Sequence, residues 1–387
     1  TAASAMQRAT RGFTTFHAGR NRIHLRMTTG VHSGNFYSAV AGLPGRQMQH
    51  FLLGTGITRV NEIQASATVG ELVISDDTKN IAGDLCITSP RASYHLVLGL
   101  NKHLLPPKLD AVIRQTSSKL GSEHLIPFLP PFVAAALQQG NLQTSIEGEH
   151  RKVTIMFINV LGINELLEEK GAESLLADLQ RYLSFVLGLC EEYGGFVSSN
   201  DTYTSGIKLI LTFGAPVAHE HNERNALRLA IGLNRGLPGL DIRLSHRIGI
   251  NTGFVFAGEV GPSYRRQYTV MGDAVNLAAR LMSSCKPNQI LASLPVMQGA
   301  GNTFIAKELP PIKVKGKKDP VAVYEPESER QFFFSAVGDK QHPLSGREAE
   351  LAQFAERAIH AEQGQSHSVI LTGEAGIGKS RLTDEFN

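Results

Sequence analysis

Cysteine is scarce in this chain. The three residues Cys86, Cys190 and Cys285 are odd in number and show no metal-ligand spacing. That argues against a disulfide scaffold or a zinc framework and marks them as packed free thiols of a reducing compartment. Charge of one sign is equally scarce: a net charge of +3 over 387 residues gives no footprint for nucleic acid or a membrane surface. Long apolar runs are missing too. The most apolar stretch, Leu125 to Leu137, carries Pro127, Pro130 and Pro131 and is too short to span a bilayer. No signal peptide is visible. The chain opens at Thr1 inside one helix-like pattern and stops at Asn387 inside another. It is therefore expected to be a piece of a longer cytoplasmic protein, holding two or three domains.

What the chain does contain is an internal repeat. Gln49 to Ser75 and Gln267 to Ser293 align without a gap, and each copy closes on a strand, Glu71–Ser75 and Gln289–Ser293. The second copy reads Gln267-Tyr-Thr-Val-Met-Gly-Asp-Ala-Val-Asn-Leu-Ala-Ala-Arg280. This places Asn276 and Arg280 four residues apart on one face of a helix that follows a strand and a Gly-Asp turn. In the first copy the same positions are Thr58 and Glu62. One copy keeps polar chemistry that the other has lost, which suggests a pseudo-symmetric pair sharing a site.

The repeat divides the chain into residues 1–105, a Pro-rich connector at 106–147, a complete second copy at 148–326, a linker at 327–342 and a new unit at 343–387. Within the second copy, Val153–Phe157 reads as a strand, and apolar residues from Leu166 to Cys190 recur at helical spacing up to Gly194-Gly195. Phe196-Val197 and Ile207–Phe213 read as a hairpin, Glu220–Gly236 as a helix and Arg247–Ile250 as a strand. After the Gln267–Ser293 segment, the basic turn 313–318 precedes a last strand at Val321–Tyr324. The order is βαββαβ, an α+β ferredoxin-like sandwich.

The segments Arg247-Ile-Gly-Ile-Asn-Thr-Gly253, Ala257-Gly-Glu-Val-Gly261 and Tyr268 to Leu281 resemble a class III nucleotidyl cyclase, in the tandem arrangement of soluble adenylyl cyclases. The resemblance implies two ferredoxin-like domains forming an intramolecular pseudo-dimer, the first incomplete at its N-terminal side. It implies conversion of ATP to 3′,5′-cyclic AMP and pyrophosphate, with Mg²⁺ or Mn²⁺ held by two aspartates. Asn276 would position the ribose and Arg280 would meet charge developing at the α-phosphate. Lys315 matches a triphosphate-binding lysine. Thr269 matches the purine-reading position and leans towards ATP.

Departures from the family pattern are as informative. Asn159 stands in the place of the first metal aspartate and Ile207 in the place of the second, and neither suits a hard dication. Tyr203 replaces the purine-reading lysine, while Asp201, in the same long hairpin, is left as a stray ligand. The second copy thus has the profile of the half that gives Asn, Arg and Lys. The metal aspartates are expected upstream of Thr1.

Gly373-Glu-Ala-Gly-Ile-Gly-Lys-Ser380 resembles the P-loop of an ATPase module. Gly373, Gly376 and Gly378 would shape the loop, Lys379 would reach the β- and γ-phosphates, and Ser380 would ligate Mg²⁺. The expected context is a strand at Ser368–Thr372 before it and a helix after it. His219 and His221 read as exposed polar residues in preference to metal ligands, and Asp273 as a helix N-cap. A competing reading keeps both copies as a decayed, nucleotide-sensing pair that answers to a regulatory small molecule and governs the C-terminal ATPase.

Overall fold

The computed structural model describes residues 2–12, 15–18, 21–24, 26–104, 121, 124–140, 148–203, 206–262, 266–314, 317, 319–330, 346–362, 368–373 and 377–386. The chain divides into two units, Thr1–Glu329 and Arg330–Asn387.

The larger unit begins with α1 (Ala2–Gly12), β1 (Thr15–Ala18) and β2 (Asn21–His24). It continues through β3 (Thr29–Val31), β4 (Tyr37–Leu43), β5 (Gln47–Leu53), α2 (Thr55–Ser66), β6 (Leu72–Ile74), α3 (Asp76–Ala82), β7 (Cys86–Pro90) and β8 (His95–Leu100). Strands β3, β6, β8 and β7 form one sheet in that order, and β4 and β5 form a separate two-stranded ribbon. The connector contributes α4 (Pro131–Gln138).

A second copy follows as β9 (Glu149–Leu161), α5 (Ile163–Tyr193), β10 (Phe196–Tyr203), β11 (Gly206–Phe213), α6 (Asn222–Gly236), β12 (Ser245–Val260), β13 (Gln267–Met271), α7 (Asp273–Ser284), β14 (Gln289–Ser293), α8 (Leu294–Ala300), β15 (Phe304–Ile312) and β16 (Val321–Glu329). Its sheet runs β10-β11-β9-β12-β14-β16-β15, with β13 paired to the far half of β12. Strands β9 and β12 are much longer than their apolar cores predict. The polar first residues of β9 pair with the end of β12, from His150↔Phe256 to Thr154↔Thr252. Those ladder bonds hold extended backbone where side-chain alternation gives no signal. The last strand also continues to Glu329, beyond its expected end at Tyr324.

Strand alternation splits the apolar residues between two faces. Met156, Ile158, Val160, Ile207, Leu209 and Leu211 pack against α5, α6 and α8; Val153, Ile155, Phe157, Val255 and Ala257 pack against α7. Beneath the first face lies a buried polar chain. Asn234 Nδ2 donates to Asn288 O at 3.0 Å, which leaves Asn234 Oδ1 to accept from His246 Nε2 at 2.5 Å. His246 Nδ1 then accepts from the Tyr182 hydroxyl at 3.1 Å. Burial pushes the imidazole pKa down to about 4, so the ring is neutral.

The repeat is present in three dimensions as well as in sequence. Helices α2 and α7 are both 12 residues long, and each follows a glycine with extended ψ and positive φ, Gly54 at 111° and Gly272 at 155°. Few side chains adopt that backbone. Helices α3 and α8 match in the same way, both entered from a serine, Ser75 or Ser293. Ser75 Oγ meets His32 Nδ1 at 2.9 Å, and Ser293 Oγ donates to Asn251 Oδ1 at 2.7 Å. A Cβ at Gly30 would come within 2.7 Å of the Gln64 backbone, and one at Gly249 would overlap Met282 N and Ala278 O. Gln64 and Met282 are equivalent in the aligned copies, so the same helix-on-strand approach needs glycine twice.

The first copy lies on the second through the β4–β5 ribbon. Ala41, Phe51 and Leu53 join the core around α5. Gln180 clamps Gly42, its Oε1 accepting from Gly42 N at 3.1 Å and its Nε2 donating to Gly42 O at 2.5 Å. Asn200 Nδ2 donates to Gln49 Oε1 at 2.6 Å.

The smaller unit contains α9 (Glu348–Glu362) and α10 (Lys379–Phe386), joined by Phe354 and Phe386 with ring centroids 5.0 Å apart. Ser368 to Thr372, expected as a strand, runs without regular structure. A strand needs paired neighbours, and none is present among the described residues of this unit.

Candidate functional site

Helix α7 is amphipathic for a simple reason: Leu277, Ala278, Leu281 and Met282 are buried, which turns Asn276 outward to solvent. Arg280, one turn further, is half-buried, and its Nη1 is enclosed without a hydrogen-bond partner among the described residues. An enclosed guanidinium nitrogen left short of an acceptor suits an incoming anion. Thr269 lies on β13, the strand that leads into this helix, opposite Gly258. It is half-buried, beside Tyr268, whose ring is packed between Phe132 and Phe196 with centroids 5.7 and 6.2 Å away.

Asp273 corrects an expectation. The N-cap is Gly272, and no side chain caps the helix. Asp273 is the first helical residue, and its carboxylate pairs with Lys317. This pair and the burial of Val314 against Leu277 and Leu281 fasten the basic turn to α7 at both ends. Lys315 itself lies outside the described residues. Neither anchor is visible as periodicity, because a turn has none.

The expected metal positions do not converge. Asn159 is buried on the α7 side of the sheet, with Phe157, whereas Ile207 is fully buried on the opposite side, in register with Val160. The residue that actually faces Asn159 from β11 is Lys208, and from β12 it is Arg247. Asp201 is the next in the row and forms an ion pair with Lys208 at 3.7 Å. A row of Asp201, Lys208, Asn159 and Arg247 presents two cations and an amide where a dication would need carboxylates. The second copy therefore does not fit a two-metal site. Strand alternation around Ile207 carried the signal for Lys208, since Ile207, Leu209 and Leu211 mark the opposite face.

Among the described residues no group of three His, Cys, Asp or Glu side chains is arranged to hold a metal ion. His219 is exposed and lies along Gly194, while His221 is the positive-φ residue that precedes α6. Cys190 and Cys285 are buried, and burial pushes both thiols up to about 12, which keeps them unreactive.

In the smaller unit, Lys379 opens α10 and its Nζ donates to Gly373 O at 2.9 Å. Gly378 has φ 93°, a conformation that favours glycine. Ser380 lies in the first turn of α10, and Gly376 falls outside the described residues.

Comparison with known proteins bears on the larger unit. Residues 146–328 match the family described as the adenylate and guanylate cyclase catalytic domain. Uncharacterized proteins of Mycobacterium bovis and Mycobacterium tuberculosis are 29% identical over 293 residues, covering 73% of this chain and 47% of theirs. The chain thus spans about half the length of the curated relatives it matches. Among solved structures, the adenylyl cyclase CyaB from P. aeruginosa is 29% identical, covering 48% of this chain and 98% of its own, with a TM-score of 0.44. The guanylyl cyclase Cya2 is 25% identical, covering 49% and 98%, with a TM-score of 0.43. By that family match, residues 146–328 are similar to a catalytic domain of the adenylate and guanylate cyclase kind. No helix among the described residues is long and apolar enough to cross a membrane.

Proposed function

We propose that this chain is part of an adenylate cyclase in which the second copy supplies Asn276, Arg280, Thr269 and Lys315 to a site completed by a partner half. One observation carries the reading. In the first copy, the ribbon residues Ala41, Phe51 and Leu53 are 0, 3 and 2% exposed because helix α5 covers them. Their equivalents in the second copy are Val260, Thr269 and Met271, and Val260 and Met271 are 42 and 47% exposed, with Phe254 beside them at 75%. A ribbon face built for a helix has none on it among the described residues. The face left bare is the one that bears Thr269.

Within such a site Asn276 would hold the ribose so that its 3′-oxygen points at the α-phosphate. Arg280 would stabilise the charge that grows on that phosphate as pyrophosphate leaves. The divalent ion that class III domains use would be held by carboxylates of the partner half, because Asn159, Lys208 and Ile207 give it no site. The test is cyclic nucleotide formation from ATP and from GTP by the longer protein, with and without Arg280→Ala. An inactive longer protein, or activity indifferent to Arg280, removes the reading.

The cationic row at Lys208 and Arg247 favours a second reading, in which the pair senses a nucleotide and governs the unit that begins at 343. Nucleotide binding without turnover in the longer protein would select it.

A further inference from the structure

Between the first copy, the connector and the second copy lies a cavity of about 490 Å³, within the range of small-molecule sites. We infer that it binds an uncharged, flat heteroaromatic molecule, and the inference does not rest on the cyclase reading. Gln49 and Gln267 occupy equivalent positions of the aligned copies, and both line the cavity. The two aligned copies therefore each contribute the same ribbon position to its wall.

The polar wall is made of side-chain amides. Asn200 Nδ2 donates to Gln49 Oε1 at 2.6 Å, which fixes the orientation of both groups. The atoms not used in that bond are Gln49 Nε2, a donor, and Asn200 Oδ1, an acceptor. Both residues line the cavity, and this donor and acceptor together complement a ring edge carrying an adjacent acceptor and donor, as in a lactam or an aminopyrimidine. Strand β10 is bulged beside them. Val197 pairs with Leu211 and Ser199 with Ile210, leaving Ser198 as the extra residue. Bulges recur where a strand must re-aim side chains at a site.

The apolar wall is aromatic. Phe132 of the connector stands edge-on to Tyr268, centroids 5.7 Å apart, and both line the cavity. Aromatic edges and faces of this kind favour a flat ring. Charge is balanced within the lining, because Arg266 pairs with Glu259 at 3.5 Å. No net charge is left to attract an ion, so a neutral molecule is preferred to a phosphate or a carboxylate.

The experiment uses the chain of residues 1–387 with 4-quinazolinone as probe and 2-naphthoate as a charged counterpart of similar size, followed by saturation-transfer NMR titration. Saturable binding of 4-quinazolinone, unchanged by excess ATP, is expected. Ser199→Trp, which fills the cavity, should abolish it, and Gln49→Leu should weaken it about tenfold. Circular dichroism melting shows whether Ser199→Trp folds; if it does not, Gln49→Leu decides. Absence of binding, equal binding of 2-naphthoate, displacement by ATP, or indifference to Gln49→Leu would each overturn the assignment.

Discussion

Asn164 donates its side-chain amide to the hydroxyl of Thr58 at 3.1 Å. Thr58 is the residue that stands, in the first copy, where the second has Asn276. The helix position that lost its proposed ribose contact now ties the first copy to the start of α5. Thr58→Val and Asn164→Ala should each destabilise the larger unit by about 1 kcal/mol. In urea denaturation the double variant should cost little more than either single one, since the two side chains form one bond. Fully additive losses would show that the contact is incidental.

Arg280→Ala, in a longer active form, should lower turnover about 100- to 1000-fold with a much smaller change in KM. The charge it is proposed to meet grows only in the transition state. Lys315→Ala should instead raise KM, because the terminal phosphates are charged throughout the reaction. Steady-state kinetics of the two variants separate the roles. The assignment fails if Arg280→Ala leaves turnover within a few-fold of the parent.

Residues 1–387 alone should form little or no cyclic nucleotide with Mg²⁺ or Mn²⁺. Asn159→Asp should not restore activity, because Lys208 faces that position and Ile207 points into the other face of the sheet. Robust product formation by either chain, measured from ATP, would show that carboxylates such as Asp201 hold metal after all.

The sequence made the repeat, the α7 face and the helical stretch of α5 legible, because each rests on periodicity or on a motif within one segment. It left open which face of the sheet each expected metal position occupies. Counting residues back from Phe213 reaches Ile207, but which face a strand residue occupies depends on its register with β9, a contact remote in sequence. Asp273 was misjudged for a related reason: Gly272 already supplies the helix entry, so the carboxylate is spare and pairs with Lys317 from a distant turn. The cavity was invisible, since its walls come from the first copy, the connector and separated stretches of the second copy.

His246 sets a pH dependence. Its pKa lies near 4 in the folded chain, below the ordinary value of 6.5, because burial disfavours the imidazolium. The neutral ring's contribution is fully present above about pH 6.5 and is lost progressively as the pH falls towards 4. The loss is on the order of a few kcal/mol. Urea midpoints measured across that window should fall in step, and the fall should be shallower in His246→Gln. Equal slopes for the two proteins would assign the acid sensitivity to other groups.

Gly249→Ala should be among the most damaging small substitutions in the chain. The added methyl would overlap Met282 N and Ala278 O, backbone atoms that cannot swing aside. A loss of about 3 kcal/mol or more is expected, visible as a large drop in melting temperature. Gly140→Ala, where a Cβ meets open space but φ is 73°, should cost much less.

The bare ribbon face of the second copy also has a consequence in time. Its sheet is complete and its two cores are closed without help from whatever covers Val260, Met271 and Phe254. Folding and the proposed completion of the site would then be separate events, the first unimolecular and the second set by an encounter. Activity in the whole protein would lag behind the appearance of folded chain, by an interval that shortens with concentration if the cover comes from another molecule and stays constant if it is tethered.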